Sequence, residues 1–215
     1  MRYDMHVHTH HSYCSSLKPA IILKQAKKLG LKGIGVVDHN TCKGGLEVKR
    51  LNKDRNFEVI PGQEISTDKG HVLAYYTTEN IRKRELYSVL DAIHDMNGLA
   101  VVAHPFRLVP YLGFKHPLWK LYRSIDGIEV LNGRNMLHMV NKKTFHTAQE
   151  LGMGLVGGSD AHFPFEIGNC MTVFKKDFRD SLKKHLTRVD YRQGYTLKGL
   201  AGSVLSIGEQ VKSRI

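Results

Sequence analysis

Short apolar runs of β type alternate along this chain with segments whose apolar residues recur at helical spacing, and run after run stops on an imidazole or a carboxylate. The strand candidates are Asp4–His8, Gly33–Asp38, Glu58–Glu64, Val72–Tyr76, Leu99–Ala103, Gly127–Leu131, Leu155–Gly158 and Met171–Phe174. Between them, Leu86, Val89, Leu90, Ile93 and Met96 share one helical face ahead of Gly98, and a second helix starts at Pro19 and stops at Gly30. A third runs from Met136 to Leu151, with Gly152 beyond it. Such alternation predicts parallel strands joined by crossover helices. The run Leu99–Ala103 is apolar on both faces, as a strand between a barrel interior and its outer helices must be. A regular eight-stranded barrel needs ~250 residues, and this chain has 215. The expectation is therefore an irregular or shortened (β/α) barrel, one domain over residues 1–215, with a basic helical segment from about residue 175 packed on it.

In such a barrel the strand ends converge on one rim, where active sites sit. Nine potential metal ligands lie at or near these ends: His6, His8, Cys14, His39, Glu64, His71, His104, Asp160 and His162. His6 and His8 are two apart in a β-type run, so both side chains leave the same face and can reach one cation. A lone pair of this kind more often belongs to a core or a surface. Here Asp38–His39, Glu64, Ala103–His104–Pro105 and Ser159–Asp160–Ala161–His162 close later strands, which makes chance clustering a poor explanation.

Hydrophobic residues make up 41% of the chain and charged residues 24%, so neither disorder nor a membrane protein is indicated. No apolar run approaches the ~20 residues of a membrane span, and a cytoplasmic location is expected. Cys14, Cys42 and Cys170 fit no disulfide framework, which leaves thiols available as ligands. The net charge of +12 favours anionic partners. Residues 175–215 contribute ten Lys/Arg against four Asp/Glu, half of that excess.

The segments HVHTHHSYCS, VVDHN, PGQEIS, GHVLAYY, VAHPFR, IEVLNGR and GGSDAH resemble, in order, the motifs of the polymerase-and-histidinol-phosphatase (PHP) family, and they span nearly the whole chain. Each is modest alone; seven in the right order are specific. The resemblance implies a distorted (β/α)7 TIM-like barrel with two or three zinc, manganese or iron ions that hydrolyses phosphoesters. It also implies the ligand sets. The first metal would take His6, His8, Glu64 and Asp160, and Glu64 would bridge to a second completed by His71 and His104. The third would take His39, His162 and a residue of the first motif, usually Asp or His, which aligns here with Cys14. A thiolate suits zinc or iron better than manganese, so this departure bears on both metal identity and the third ion.

Arg107, three residues after His104, and Arg134, in the turn after a strand, are candidates for a bidentate grip on phosphate. Surface ion pairing is the alternative role for each. Glu129 is a candidate to orient a ligand histidine. With Glu64, His104 and Asp160, the two arginines make up the candidate catalytic set. His10 and His11 fall in the first loop, where exposed histidines are common; His94, His138, His146 and His185 read as structural. Tyr13, Tyr76, Tyr111, Phe106, Phe163 and Phe165 are the aromatics available to stack a base. Gly44–Gly45 and Gly157–Gly158 lack a complete phosphate-loop pattern and read as tight turns beside ligands. The stretch Leu108–Trp119 is a candidate rim loop.

The expected substrate is a small phosphorylated metabolite or the phosphate end of a nucleotide or nucleic acid. Two other functions compete. An amidohydrolase-like C–N hydrolase would use a carboxylated lysine at a strand end, and none is present. An RNA-binding component like the barrel-shaped ribonuclease P subunit fits the charge, but gives no reason for a nearly complete ligand set.

Overall fold

The computed structural model describes residues 1–108, 113–135 and 137–212, so Tyr111, Met136 and part of the candidate rim loop lie outside the described residues. Nine strands form one sheet: β1 (Arg2–Val7), β2 (Gly33–His39), β3 (Glu58–Thr67), β4 (Gly70–Tyr75), β5 (Leu99–Val102), β6 (Gly127–Asn132), β7 (Gly154–Gly158), β8 (Cys170–Val173) and β9 (Arg188–Tyr191). Their spatial order is β7-β6-β5-β4-β3-β2-β1-β8-β9. A parallel bridge between Val7 and Ala161 brings the two ends of the β7-to-β1 series together. His8 N–H donates to Ala161 O at 2.8 Å and Ala161 N–H to His6 O at 3.1 Å. The result is a nearly closed, TIM-like barrel with β8 and β9 continuing past β1.

Helices α1 (Pro19–Lys28), α2 (Lys43–Leu51), α3 (Leu86–Asp95) and α4 (His138–Glu150) connect β1–β2, β2–β3, β4–β5 and β6–β7. The alternation breaks in three places, one of them between β7 and β8, where residues 159–169 form no helix. Between β5 and β6 the described residues of the connection carry a single 3-10 turn, Leu118–Lys120. Between β3 and β4 only Asp68 and Lys69 intervene, because Thr67 pairs directly with Gly70. Two residues cannot hold a crossover helix, so β4 runs antiparallel to both β3 and β5. The expectation of uniformly parallel strands is corrected there, and again at β8, which is antiparallel to β1 and β9. The basic tail is also not helical throughout: it folds as α5 (Phe178–Lys183), β9 and α6 (Tyr195–Lys212). Among the described residues no helix is long and apolar enough to cross a membrane.

Strand parity carries the core into the site. Val37, Ile60, Leu73, Tyr75, Leu99, Val101, Ala103 and Val156 form one buried cluster inside the barrel, sealed at its lower end by Phe174, Phe178 and Leu182. Ile34, Val36 and Val59 face the other way, under α1 and α2. Two residues beyond Val37 is His39; four beyond Ile60 is Glu64; two before Leu73 is His71. The period-2 rule therefore stacks a row of ligands on top of an apolar plug.

The glycines read as turns beside ligands do different work. Gly157 and Gly158 are the last residues of β7, pressed against its neighbours. A Cβ on Gly158 would stand 2.3 Å from His6 Cβ and 2.7 Å from His6 N. Gly158→Ala should therefore cost about 1–3 kcal/mol, as overpacking does. A lowered urea midpoint in equilibrium unfolding checks this, and a midpoint equal to that of the unaltered chain would contradict it.

Candidate metal centre

The strand ends deliver four donor atoms to one point. His6 Nε2 lies 3.1 Å from His8 Nε2 and 3.6 Å from both Glu64 Oε2 and Asp160 Oδ1. His8 Nε2 lies 3.4 Å from Glu64 Oε2 and 3.3 Å from Asp160 Oδ1. Ligands held ~2.0–2.1 Å from a tetrahedral ion stand ~3.3–3.4 Å apart along each edge. The distances from the two imidazoles to each other and to both carboxylates thus have the spacing of a coordination shell. Glu64 Oε2 is buried and makes no hydrogen bond of good geometry, its one further close neighbour being His39 Nδ1 at 2.9 Å.

The other oxygen of Glu64 serves a second set. Oε1 lies 2.8 Å from His71 Nδ1 and 3.0 Å from His104 Nε2. A third grouping joins His8, His39 and His162. His39 Nδ1 stands 2.9 Å from Glu64 Oε2, and His162 Nε2 stands 3.0 Å from the buried Cys14 Sγ. All nine candidate ligands therefore meet on one rim. Cys14 touches His162 and also raises the pKa of His39, so it stands beside both histidines of this grouping.

A ring of partners aims the imidazoles. His6 Nδ1 faces Glu129 Oε1 at 2.8 Å, while Glu129 Oε2 accepts from His104 N–H at 2.9 Å and from the Asn132 amide. Ser12 Oγ donates to Asp38 Oδ1 at 2.6 Å, so it is left to accept from His8 Nδ1–H at 3.1 Å. His162 Nδ1–H donates to Asp160 O at 2.8 Å. In each case Nδ1 is engaged by its partner and Nε2 is turned toward the centre. His104 and Asp160 adopt φ of +27° and +55°, strained values for residues that are not glycine and typical of functional sites. Asp4 anchors the same rim from below, accepting from Ser159 N–H, Ser159 Oγ and Gly168 N–H. Burial still pushes its carboxyl up to about 6.

Electrostatics prepare the same site. Burial, then repulsion from His39, pushes His8 down to about 4. Burial also lowers His104, and burial with neighbouring His8 and Arg134 holds His162 well down. For Glu64 and Asp160 burial acts upward, but the surrounding imidazoles outweigh it and hold both carboxyls well below the usual range. His6 and His39 go the other way: burial pulls them down, and the carboxylates around them lift them well above an ordinary histidine. Without a cation, protons on these two rings supply the missing positive charge.

The arginines differ. Arg107 Nη1 donates to Asp160 Oδ2 at 2.9 Å, and its buried Nε has no partner among the described residues. Arg134 is already gripped: Nε and Nη2 each donate to Glu166 at 2.9 Å, and Nη1 donates to Ser206 Oγ at 3.0 Å. Glu166, not phosphate, occupies its fork in this structure, which corrects the expectation of a free bidentate grip. Both arginines line a cavity of about 120 Å³ with Tyr13, Cys14, His39, His71, Ser206 and Gln210. Tyr13 is stacked on His39. Tyr76 lies elsewhere, under Arg179, and Phe163 and Phe165 stack on each other. Ser12, Asp38, Glu166, Ser206 and Gln210 escaped the sequence reading. Ser12 and Asp38 are beside ligands and were legible as such; Glu166 and α6 are linked to the site only by the fold.

The pattern of the PHP domain family matches residues 4–126, and that of a PHP-associated segment matches residues 138–188. The uncharacterized protein MJ1587 of Methanocaldococcus jannaschii is 33% identical over 153 residues, 66% of this chain and 87% of that protein. Among solved structures, a two-domain protein of Bacteroides vulgatus containing a predicted PHP-like metal-dependent phosphoesterase superposes with a TM-score of 0.76 at 19% identity. The match covers 94% of this chain and 69% of that one. The lesion-specific endonuclease PfuEndoQ from Pyrococcus furiosus superposes at 0.57 with 18% identity, over 86% of this chain and 56% of its own.

Two outcomes follow from this geometry. Glu129→Gln leaves one N–H donor facing an amide N–H, so affinity for zinc should fall about 10- to 100-fold; calorimetric titration measures it, and an unchanged Kd would remove Glu129 from the ligand-orienting role. Because His6 and His39 are lifted above the ordinary value, a cation must displace protons from them. Zinc binding should release protons at neutral pH and weaken steadily toward acid, as titrations in buffers of different ionisation enthalpy will register.

Proposed function

Since the chain belongs to the PHP domain family, we propose that it is a metal-dependent hydrolase of phosphoesters, working at a centre of two or three divalent zinc, iron or manganese ions. The observation that carries this reading is the double use of Glu64: one oxygen stands within 3.6 Å of His6 Nε2 and His8 Nε2, and the other faces His71 and His104. His6, His8, Glu64 and Asp160 would hold one ion, and Glu64, His71 and His104 a second. His39, His162 and Cys14 would hold a third. One continuous barrel sheet supports reading residues 1–215 as a single domain.

When bound, such ions supply Lewis acidity to phosphoryl oxygens and lower the pKa of water toward neutrality. The chain's own residues do the rest. Nδ1–H bonds to Glu129 and Ser12 hold the His6 and His8 rings with Nε2 turned inward. Asp160 divides its oxygens, Oδ1 to the donor set and Oδ2 to Arg107 and Asn132. The Arg107 Nε–H, buried and without a partner among the described residues, would donate to a phosphoryl oxygen. Arg134, fixed by Glu166, lends positive charge at the cavity wall without a free fork. Water adds to phosphorus, the P–O bond to the leaving group breaks, and the leaving oxygen takes a proton.

Cavity size supports a terminal phosphate as the reacting group. Pockets that enclose drug-sized ligands measure ~300–1,000 Å³, against about 120 Å³ here. Ser206 and Gln210 of α6 form part of the wall. A phosphoryl group fits with its organic part outside, whereas an internal phosphodiester would need room on both sides. A small phosphorylated metabolite or the phosphate end of a nucleotide or nucleic acid meets that condition.

Phosphomonoesters, phosphodiesters and amides assayed with zinc, manganese or iron test this. Monoesters should turn over, and His104→Ala should lose activity by several orders of magnitude; turnover of amides alone would reject the reading. Cys14→Asp should stay active and work better with manganese, since an oxygen ligand replaces a thiolate. Complete inactivity of that variant with manganese would remove Cys14 from the third ligand set.

A further inference from the structure

We propose that the chain has a second, peripheral transition-metal site formed by His10 and His11 of the β1–α1 loop and Glu47 of α2. One imidazole nitrogen from each histidine and one carboxylate oxygen lie within 4.8 Å of one another. None of the three lines the cavity of the central site. His11 Nε2 stands 2.9 Å from Glu47 Oε2, and the His10 ring lies 4.4 Å from that of His11.

The surrounding chain fixes the backbone that carries these side chains. His10 N–H donates to Leu17 O at 3.0 Å and Ser12 N–H to Thr9 O at 3.0 Å, so the loop is closed on itself. His11 N–H donates to Thr9 Oγ1, and Thr9 is fixed to Asp38 through both its N–H and its hydroxyl, each at 2.7 Å. Helix α2 is seated on the same network. Gly44, in its first turn, approaches so closely that a Cβ would stand 1.9 Å from Asp38 Oδ2 and 2.3 Å from Thr9 Oγ1. Glu47 is three residues further along α2, one turn on the same face, and so comes to His11.

An ion pair alone would involve only His11 and Glu47, whereas the His10 ring makes a third donor converge on the same point. Two imidazoles and one carboxylate suit borderline ions, zinc above all, and leave a coordination position for water. An ion here would clip the first loop to α2. That loop carries Ser12, which meets both His8 Nδ1 and His39 N–H, and then Cys14. Occupancy of the outer site would therefore stiffen ligands of the inner one.

The test counts zinc. Chelator-stripped full-length protein is dialysed against zinc, and bound metal per chain is measured in the unaltered protein, in the double variant His10→Ala/His11→Ala, and in Glu47→Gln. The unaltered protein should hold one ion more than the double variant. Glu47→Gln, a near-isosteric change on the surface, should weaken that ion at least tenfold. Equal counts and equal affinities across the three would overturn the proposal. A chain carrying Glu64→Gln and Asp160→Asn should lose the central ions and keep the peripheral one, so the two sites are read separately. Loss of every ion in that chain would also overturn it.

Discussion

Glu64 is the constraint around which the rim is arranged, because an ionised carboxylate cannot be buried without compensation. Its position on β3 makes the compensation available from both sides. Parallel pairing places His39 of β2 directly opposite it, and the antiparallel β4 returns His71 beside Ser66, two residues further on. From across the barrel come His6, His8 and His104. The antiparallel turn that breaks the regular alternation is therefore also what brings His71 within 2.8 Å of Glu64 Oε1. A crossover helix in its place would have carried the chain away from this edge before β4 began.

The proton on each imidazole is set one layer further out. Glu129, the Ser12–Asp38 pair and the Asp160 carbonyl each engage an Nδ1. All are buried and most serve more than one donor, so they stiffen the rim as well as orient it. Asp38 illustrates this economy of means. It accepts from Thr9 and Ser12, touches the close-packed start of α2, and directly precedes the ligand His39.

Sequence pattern revealed the barrel and the rim because both follow from strand parity. Once Val37, Ile60 and Leu73 are assigned to the interior, His39, Glu64 and His71 must share that face, whatever the loops do. All eight strand candidates correspond to observed strands within a residue or three. Strand direction was less legible: an apolar run reads the same both ways, and only the two residues between Thr67 and Gly70 betray the reversal at β4. The short β9, half-exposed and rich in charge, carries no apolar alternation. The pairing of Arg134 was hidden for a different reason. Its partner Glu166 is 32 residues away and meets it only after β7 has closed on β1. Likewise nothing in α6 alone marks Ser206 as a neighbour of the site; it arrives there because Gly199 lets the helix rest on Gly133 and Arg134.

The balance of fixed charge explains why such a site needs cations to receive an anion. Buried carboxylates crowd the cavity and its ligands: Glu64, Asp160 and Glu166, with Glu129, Asp38 and Asp4 one layer out, against the two guanidinium groups of Arg107 and Arg134. A phosphate dianion meets mostly negative neighbours there, and divalent ions held by the ligands would reverse that balance. The overall excess of +12 cannot perform this task, because charges on the outer surface are screened over ~8–10 Å at physiological salt. Recruitment of the substrate and activation of water are thus tied to the same ions, and a centre stripped of them should lose phosphate binding together with turnover.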